Sequence, residues 1–286
     1  MSNVVDAQRF KSAQRQGWDS VAEGWKKWWP TIEEGAQVVS DRLIELAVIR
    51  EGNNVLDIAT GIGEPAVTAA RKVGPSGKVT AIDLSPAMLA IAKERAIEND
   101  LAHIIDFQEG DAETFRLPTS KFDAIISRFG LMYLPNLSEA LKTIREALVD
   151  DGRIAAAVWS SPQKVHAIIT PIEIVSKETS VAPPPPGTPG PFSLADTNLL
   201  RERFKQAGFQ GIEIESGTVN FRIPSAEGYV DFVRSTAAPL TTMMAGLPVA
   251  RQQEIWNKVI DASKKFADAA GSVNFTDEVI YVSARK

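Results

Sequence analysis

Cysteine is absent from the 286-residue sequence, and histidine occurs only twice. Without cysteine the protein can form no disulfide, no thiolate metal site and no cysteine nucleophile. The remaining metal-ligating side chains form no cluster with a useful spacing, so we predict that the protein works without a metal.

Long apolar runs and an excess of basic residues are also missing, and no secretory leader is expected. No apolar stretch approaches the ~20 residues that a membrane-spanning helix needs, and residues 1–15 are too polar for a secretory signal. The formal net charge of −5 disfavours a nucleic-acid partner, because phosphate backbones favour basic surfaces. We therefore expect a cytoplasmic protein with no membrane span and no nucleic-acid partner.

The most informative motif that is present is VLDIATGIG, at residues 55–63. Its first four residues predict a short buried strand, and residues 64–73 predict a helix. Between them, Gly61 and Gly63 allow the backbone to turn tightly and to approach a ligand closely. A strand, a glycine loop and a helix in this order are typical of a site for nucleotide-like ligands.

The glycine turn by itself fits two classes of ligand. Residues 61–66 satisfy the dinucleotide pattern G-x-G-x-x-A, and Asp83 follows about 20 residues later, as that pattern requires. A pyrophosphate on this turn would lie near Asp57 and Glu64, which is unfavourable in a partly desolvated cleft. The ammonium and sulfonium groups of S-adenosylmethionine (SAM) would instead be stabilised by these carboxylates. We favour SAM, and a nicotinamide-dependent oxidoreductase stays open as the alternative.

The next segment supplies a candidate ribose ligand. Residues 77–82 predict a second strand that leads to Asp83, whose two carboxylate oxygens can accept both ribose hydroxyls. Ser85 and Pro86 predict a helix start, as the N-cap and the first helical residue. Met88, in the first turn of that helix, could pack against an adenine face.

Two further strands end at candidate site residues. A third strand, at about residues 104–109, leads to Asp111 and Ala112. We expect the Asp111 carboxylate to accept a hydrogen bond from the adenine amino group and the Ala112 backbone N–H to donate one. A fourth strand, at residues 122–127, ends at Ser127, beside the expected position of the reactive methyl group.

Together these stretches resemble a known family, the class I SAM-dependent methyltransferases, and specifically the small-molecule group related to the ubiquinone/menaquinone-biosynthesis methyltransferases. The matching segments are VLDIATGIGEPAVTAA, VTAIDLSPAMLAIAKERA, FQEGDAETFRLP, FDAIISRFGLMYLPN and DGRIAAAVW. The resemblance implies SAM as the cofactor and S-adenosylhomocysteine (SAH) as its product. The cofactor-binding residues that we predict are Trp18, Asp57, Ala59, Gly61, Gly63, Asp83, Leu84, Met88, Asp111, Ala112 and Ser127.

The expected fold is α/β: a Rossmann-like, seven-stranded, mostly parallel sheet with helices on both faces, a reversed edge strand, and N-terminal and inserted helical caps. Residues 212–216 and 219–223 predict two strands that either pair as a hairpin or flank an insertion. The domains that we predict are a helical lid at 1–40, a SAM-binding core at 41–160, the rest of the sheet with an inserted substrate cap at 161–270, and a final edge strand at 271–286.

Four of the six tryptophans lie within the predicted lid: Trp18, Trp25, Trp28 and Trp29. They either anchor the lid on the core or form an aromatic cover over the methyl donor and an apolar acceptor, since indole has a large apolar face and one donor. In the family that this chain resembles, an aromatic residue at the position of Trp18 often covers the cofactor. We therefore assign this role to Trp18.

A strong catalytic constellation is not required for methyl transfer from SAM. The sulfonium methyl is already electrophilic, so in-line alignment and exclusion of water are the main demands on the protein. A general base would still assist a hydroxyl or a carbon acid. The candidates are His166, which can also be a packing residue, and Arg128 and Tyr133, which could bind an acceptor oxygen; Arg128 can equally pair with a nearby acid.

The function predicted from the sequence is methyl transfer to an oxygen or carbon of a small apolar or aromatic metabolite, such as a quinone-like or terpenoid compound. Two alternatives from other classes stay open: a nicotinamide-dependent oxidoreductase, and a non-catalytic SAM-binding partner protein. The acceptor is expected to be a small molecule, and the sequence leaves open whether the protein is a monomer or a homodimer.

Overall fold

A computed structural model describes residues 7–181, 184–185 and 187–286. Helices surround a single seven-stranded sheet. The strands are β1 (Asn54–Ile58), β2 (Lys78–Asp83), β3 (Ile105–Glu109), β4 (Phe122–Arg128), β5 (Leu148–Trp159), β6 (Gln210–Ile223) and β7 (Val273–Arg285). The α-helices are α1 (Ala7–Leu46), α2 (Ala66–Val73), α3 (Pro86–Glu98), α4 (Leu137–Ala147), α5 (His166–Thr179), α6 (Thr197–Gln206), α7 (Ala226–Thr236), α8 (Ala238–Met244) and α9 (Val249–Ser263).

The strand order is β3-β2-β1-β4-β5-β7-β6. The first five strands are parallel, and β7 runs antiparallel to both of its neighbours. The predicted Rossmann-like class is therefore confirmed, with one correction: the reversed strand is not at the edge, because β6 pairs outside it. Residues 279–284 of β7 are buried throughout, as expected for an interior strand, whereas most residues of β6 are exposed or half-buried.

The interpretation of residues 212–216 and 219–223 as two strands is wrong. Both segments belong to the continuous strand β6, which pairs with β7 from Glu213 opposite Ser283 to Ile223 opposite Val273. Gly217 joins the two segments without a break. A Cβ atom there would lie 2.7 Å from the Tyr281 ring, so glycine lets this ring cross the strand.

Helix α1 forms the described part of the predicted lid and continues past it to Leu46; residues 1–6 lie outside the described part. Its C-terminal half is integrated into the core, where Val39 and Leu43 are fully buried. Its N-terminal half packs on the loop after β1 and on α3, through Val21 and Ala22. The lid and the core thus share one helix of 40 residues.

A second apolar core lies beyond the carboxyl end of β5. The β6–β7 pair extends past Trp159, and helices α5, α7, α8 and α9 pack around that extension. Helices α7, α8 and α9 are inserted between β6 and β7, which places a helical cap near the carboxyl edge of the parallel strands. Among the described residues, none of the helices is both long and apolar enough to cross a membrane.

Candidate functional site

In the loop between β1 and α2, Gly61 and Gly63 both turn the backbone, but their surroundings differ. Gly61 and Gly63 both have positive φ angles, of +57° and +100°. A Cβ atom at Gly61 would meet nothing within 4 Å, so this residue borders open space. At Gly63 it would lie 3.2 Å from the Ala92 Cβ, so this glycine permits close packing of α3. Helix α2 begins at Ala66 rather than at residue 64, which leaves Glu64 in the loop.

Asp57, at the carboxyl end of β1, is fully buried, and neither of its carboxylate oxygens has a hydrogen-bond partner within the described residues. The adjacent Thr60 hydroxyl also lacks one. Burial raises the pKa of Asp57 to about 7, and the nearby Glu64 carboxylate acts in the same direction. The Thr60 hydroxyl, Arg128 and the Ala66 backbone N–H lie close enough to oppose this shift, but none of them makes a hydrogen bond of normal geometry to the carboxylate. A buried carboxylate without a partner costs free energy unless a cation or a donor balances it. Asp57 is therefore the strongest indication of a site for a positively charged ligand.

Glu64 and Arg128 interact electrostatically with Asp57, and Glu33 and Arg95 interact in turn with these two residues. We call Asp57, Glu64, Glu33, Arg95 and Arg128 the acidic cluster. Glu33 comes from α1, and both of its carboxylate oxygens are buried without a hydrogen bond among the described residues. Its Oε1 atom lies 3.6 Å from Arg128 Nη1, and Glu64 Oε1 lies 3.9 Å from Arg95 Nη2. Burial raises the pKa of Glu33 to about 7.

The arginines of the acidic cluster are held mainly by other groups. Arg128 Nη1 donates to Ser40 Oγ at 2.9 Å and to the Ala36 carbonyl at 3.3 Å. Arg95 Nη1 donates to the Ile62 carbonyl at 2.6 Å, and its guanidinium lies 3.4 Å from the centre of the Trp29 ring. These contacts fix both guanidinium groups beside the carboxylates and not directly on them.

Asp83 and Asp111 lie at the ends of β2 and β3, as predicted, but protein donors already bind both carboxylates. Asp83 accepts hydrogen bonds from the Gly61 and Ser85 backbone N–H groups, each at 2.8 Å. Lys11, on α1, donates to Asp111 Oδ2 at 2.7 Å and also contacts Glu113. A carboxylate offers about four acceptor positions, so both residues keep capacity for a ligand.

The other predicted cofactor residues lie around the same loop. Ser127 is fully buried, and its hydroxyl donates to the Ile58 carbonyl at 2.9 Å, which ties β4 to β1. Met88 is buried against Ile62 and the lid. Ala59 has a positive φ of 58°, which turns the chain at the end of β1. Leu84 and Ala112 follow β2 and β3, beside Asp83 and Asp111.

The tryptophans divide between the two roles considered for them. Trp25 donates to the Thr236 carbonyl at 3.2 Å, and Trp28 packs edge-to-face on Phe232, so these two anchor α1 on α7. Trp18 packs with the apolar cluster at the glycine loop, and its ring is 5.5 Å from that of Tyr133. Trp18 thus lies against the glycine loop, and its role as a cover over the cofactor stays a prediction.

The three catalytic candidates have separate surroundings, and no contact among the described residues joins them. Arg128 contacts α1, as the ion-pair alternative predicts. Tyr133 is enclosed beside Trp18, and burial raises its pKa, which keeps the hydroxyl protonated. His166 begins α5 in the cap, where its backbone N–H donates to Asp277 at 2.7 Å and its ring packs on Phe266. Each assignment to catalysis remains a prediction.

Two features were missed in the sequence. The first is the participation of Glu33 and Arg95; the available signal is that Glu33 lies on the helical face that also carries the buried residues Ala36 and Ser40. The second is an aromatic wall at the carboxyl ends of β4 and β5, which we define as Phe129, Trp159 and Phe221. Phe129 and Trp159 stack at 4.1 Å, and Trp159 and Phe221 are 6.4 Å apart.

Comparison with known proteins identifies the central part of the chain. Residues 55–152 match the family described as a methyltransferase domain. The ubiquinone/menaquinone biosynthesis C-methyltransferase UbiE of Pseudomonas entomophila (strain L48) is 36% identical over 119 residues, which are 42% of this chain and 46% of that protein. UbiE of Ectopseudomonas oleovorans is 37% identical over 110 residues, 38% of this chain and 65% of that protein. The chain thus spans about half the length of the first relative, and the cap lies outside the residues that the family model matches.

Solved structures agree on the fold over most of the chain. The [4+2]-cyclase SpnF matches with a TM-score of 0.54 and 23% identity, over 88% of this chain and 81% of that one. A phosphoethanolamine N-methyltransferase 2 of Haemonchus contortus, solved with SAM, matches with a TM-score of 0.53 and 19% identity, over 87% and 52%. Among the described residues, no group of three or more metal-ligating side chains could hold a metal ion. Residues 55–152 thus match a methyltransferase domain, and part of the chain is similar in sequence to the UbiE C-methyltransferases.

Proposed function

We propose that this protein transfers the methyl group of SAM to an oxygen or a carbon of a small apolar or aromatic metabolite. The observation that carries the proposal is the Asp57 carboxylate, which is fully buried at the end of β1 without a hydrogen-bond partner among the described residues. An ammonium or sulfonium group would satisfy this carboxylate, whereas a pyrophosphate would be repelled by it and by the two other acids of the cluster. This argument also favours SAM over a nicotinamide cofactor.

The residues around the loop fit SAM as a ligand. When bound, SAM supplies a methyl group on a positively charged sulfur. Asp57 would accept hydrogen bonds from the ammonium group, and Asp83 would accept them from the ribose hydroxyls with the acceptor capacity it retains. Asp111 and the Ala112 backbone would contact the adenine. Trp18 and Met88 would exclude water from the cleft by packing over the loop.

The acceptor would lie between the aromatic wall, the lid and the cap. Phe129 and Trp159 offer stacked ring surfaces at the ends of β4 and β5, which suit a flat, apolar acceptor. Tyr133, protonated because of its burial, would donate a hydrogen bond to an acceptor oxygen and would not serve as a base. The relatives named as C-methyltransferases favour carbon as the methylated atom, although less than half of this chain matches the first of them.

Calorimetric titration of the purified protein with SAM, SAH and NADH tests the choice of cofactor. We expect binding of SAM and SAH and none of NADH. Binding of NADH without SAM or SAH would make the protein a nicotinamide-dependent oxidoreductase and would overturn the proposal.

Incubation with methyl-labelled SAM and fractionated extracts of the source cells, followed by mass spectrometry, tests the transfer itself. We expect label in a small apolar product. The fold also serves a [4+2]-cyclase, so the fold alone does not establish methyl transfer. SAM binding with no labelled product from any fraction would favour the non-catalytic alternative.

A further inference from the structure

The acidic cluster carries a net negative charge when all of its groups are ionised. Burial opposes this in the ligand-free protein by raising the pKa of Asp57 and of Glu33 to about 7, and a bound cation would favour it. The cluster contains three carboxylates, from Asp57, Glu64 and Glu33, and two guanidinium groups, from Arg95 and Arg128. The arginines donate to backbone carbonyls and to Ser40, and the distances to the carboxylates, 3.6 and 3.9 Å, exceed hydrogen-bond lengths. With all five groups ionised, one negative charge stays uncompensated.

Glu33 belongs to the same electrostatic environment as Asp57. Both carboxylates interact with Arg128 and with Glu64, and all four of their oxygens are buried without a hydrogen-bond partner among the described residues. Asp57 and Glu64 come from the core, whereas Glu33 comes from the lid helix α1. Helix α1 therefore adds the third acid of the cluster from the part that follows Pro30 and packs on the core.

SAM and SAH differ in net charge, and the cluster is sensitive to that difference. SAM carries an ammonium, a carboxylate and a sulfonium, with a net charge of plus one. Methyl transfer breaks the bond from sulfur to the methyl carbon, leaves its electron pair on sulfur and forms the bond to the acceptor, whose proton passes to solvent. The product SAH is a neutral thioether with no net charge. Only SAM neutralises a cluster with one excess negative charge.

We propose that Glu33 is a specificity residue that makes the site prefer the positively charged methyl donor to its neutral product. This inference rests on the proposed function. Without Glu33, two carboxylates and two arginines would balance, and the site would favour the neutral ligand. With Glu33, the site stabilises the positively charged donor, and the loss of the sulfonium charge removes part of that stabilisation and favours release of SAH.

Two variants on adjacent positions test the role of Glu33. Glu33→Gln removes the charge and keeps the shape, and Glu34→Gln is the matched control, because Glu34 is exposed on the same helix. Titration of each with SAM and with SAH gives the ratio of the two dissociation constants. We expect Glu33→Gln to weaken SAM binding about tenfold while SAH binding changes by less than about threefold. Glu34→Gln should leave both unchanged.

A purely structural role for Glu33 predicts a different result. If Glu33 only positions Arg128 or α1, Glu33→Gln would weaken both ligands equally, and that outcome overturns the inference. Unchanged binding of both ligands would overturn it as well. The wild-type protein supplies a second test, which needs no variant: it should bind SAM more tightly than SAH, and equal or tighter binding of SAH would contradict the inference. Failure of wild type to bind either ligand would instead refute the proposed function.

Discussion

The carboxylates at the two ends of the proposed cofactor cleft differ in whether protein groups donate hydrogen bonds to them. At the end formed by β2 and β3, protein donors bind both carboxylates. Asp83 accepts from two backbone N–H groups, and Asp111 accepts from Lys11, from the Glu113 backbone N–H and from the Thr114 hydroxyl. At the end formed by β1 and β4, Asp57 and Glu33 are buried with no hydrogen-bond partner among the described residues. The same type of side chain thus stabilises the protein at one end and destabilises the ligand-free protein at the other.

This difference indicates which carboxylates stabilise the loops and which are available to bind a ligand. A carboxylate that accepts backbone N–H bonds fixes a loop, whether or not a ligand is present. A buried carboxylate without a donor lowers stability until a cation arrives, and a strongly shifted pKa in a cleft points to a ligand-binding role. Substitutions at the Asp57 end should therefore mainly weaken ligand binding, whereas substitutions at the Asp83 end should also lower the stability of the ligand-free protein.

The largest effect is expected at Asp57. Asp57→Asn should weaken SAM binding by at least about 30-fold, because a buried charge partner is lost, and should leave the ligand-free protein as stable as wild type or more stable. Titration calorimetry and urea unfolding measure the two quantities. Asp106→Asn, at an exposed position on β3, is the control. Unchanged SAM affinity in Asp57→Asn would show that Asp57 does not bind the cofactor and would contradict the proposed difference between the two ends.

Asp83→Ala should affect both quantities. The Gly61 and Ser85 N–H groups lose their acceptor, so the free energy of unfolding should fall by about 1–3 kcal/mol. SAM affinity should fall about tenfold, because the ribose hydroxyls also lose a charged acceptor. The same two measurements apply, and unchanged affinity would show that β2 does not supply the ribose ligand.

The pH dependence of stability should report the buried acid directly. The pKa of Asp57 is raised to about 7 in the folded protein by burial, from 3.8. Between pH 3.8 and about 7, Asp57 is protonated in the folded state and ionised in the unfolded state. The stability that this protonation gives the folded state is therefore complete at low pH and is lost as the pH rises to about 7. Urea unfolding of ligand-free wild type and Asp57→Asn should give the largest difference above pH ~7 and the smallest near pH ~4. A difference independent of pH would contradict this.

The smallest effect is expected at Lys11. Its ion pairs with Asp111 and Glu113 are partly exposed, so Lys11→Ala should lower the free energy of unfolding by less than about 1 kcal/mol. Because Asp111 keeps its ligand capacity, SAM affinity should change by less than about threefold. Loss of SAM binding in Lys11→Ala would mean that the lid end at β3 controls the cofactor after all.

The local part of the fold could be predicted from the sequence, and the long-range part could not. The strand, the glycine loop and the placement of Asp57, Asp83 and Asp111 at strand ends follow from short patterns. The interior position of β7 depends on which strand pairs outside it, and no local pattern encodes that partner. The burial of Glu33 likewise depends on the packing of α1 against β4, so the helical face was visible but its environment was not.

The uninterrupted course of α1 has a consequence for entry to the cleft. Pro30 lies inside the helix and has no N–H to donate to the carbonyl of Lys26, so bending the rod is cheapest near this position. The segment before Pro30 carries Lys11 and Trp18, and Glu33 follows it by less than one turn. A swing about this hinge would open the gateway to the nucleoside while the anchored half stays in place. The bend that admits the donor would then lie next to Glu33, the residue that responds to the donor's charge.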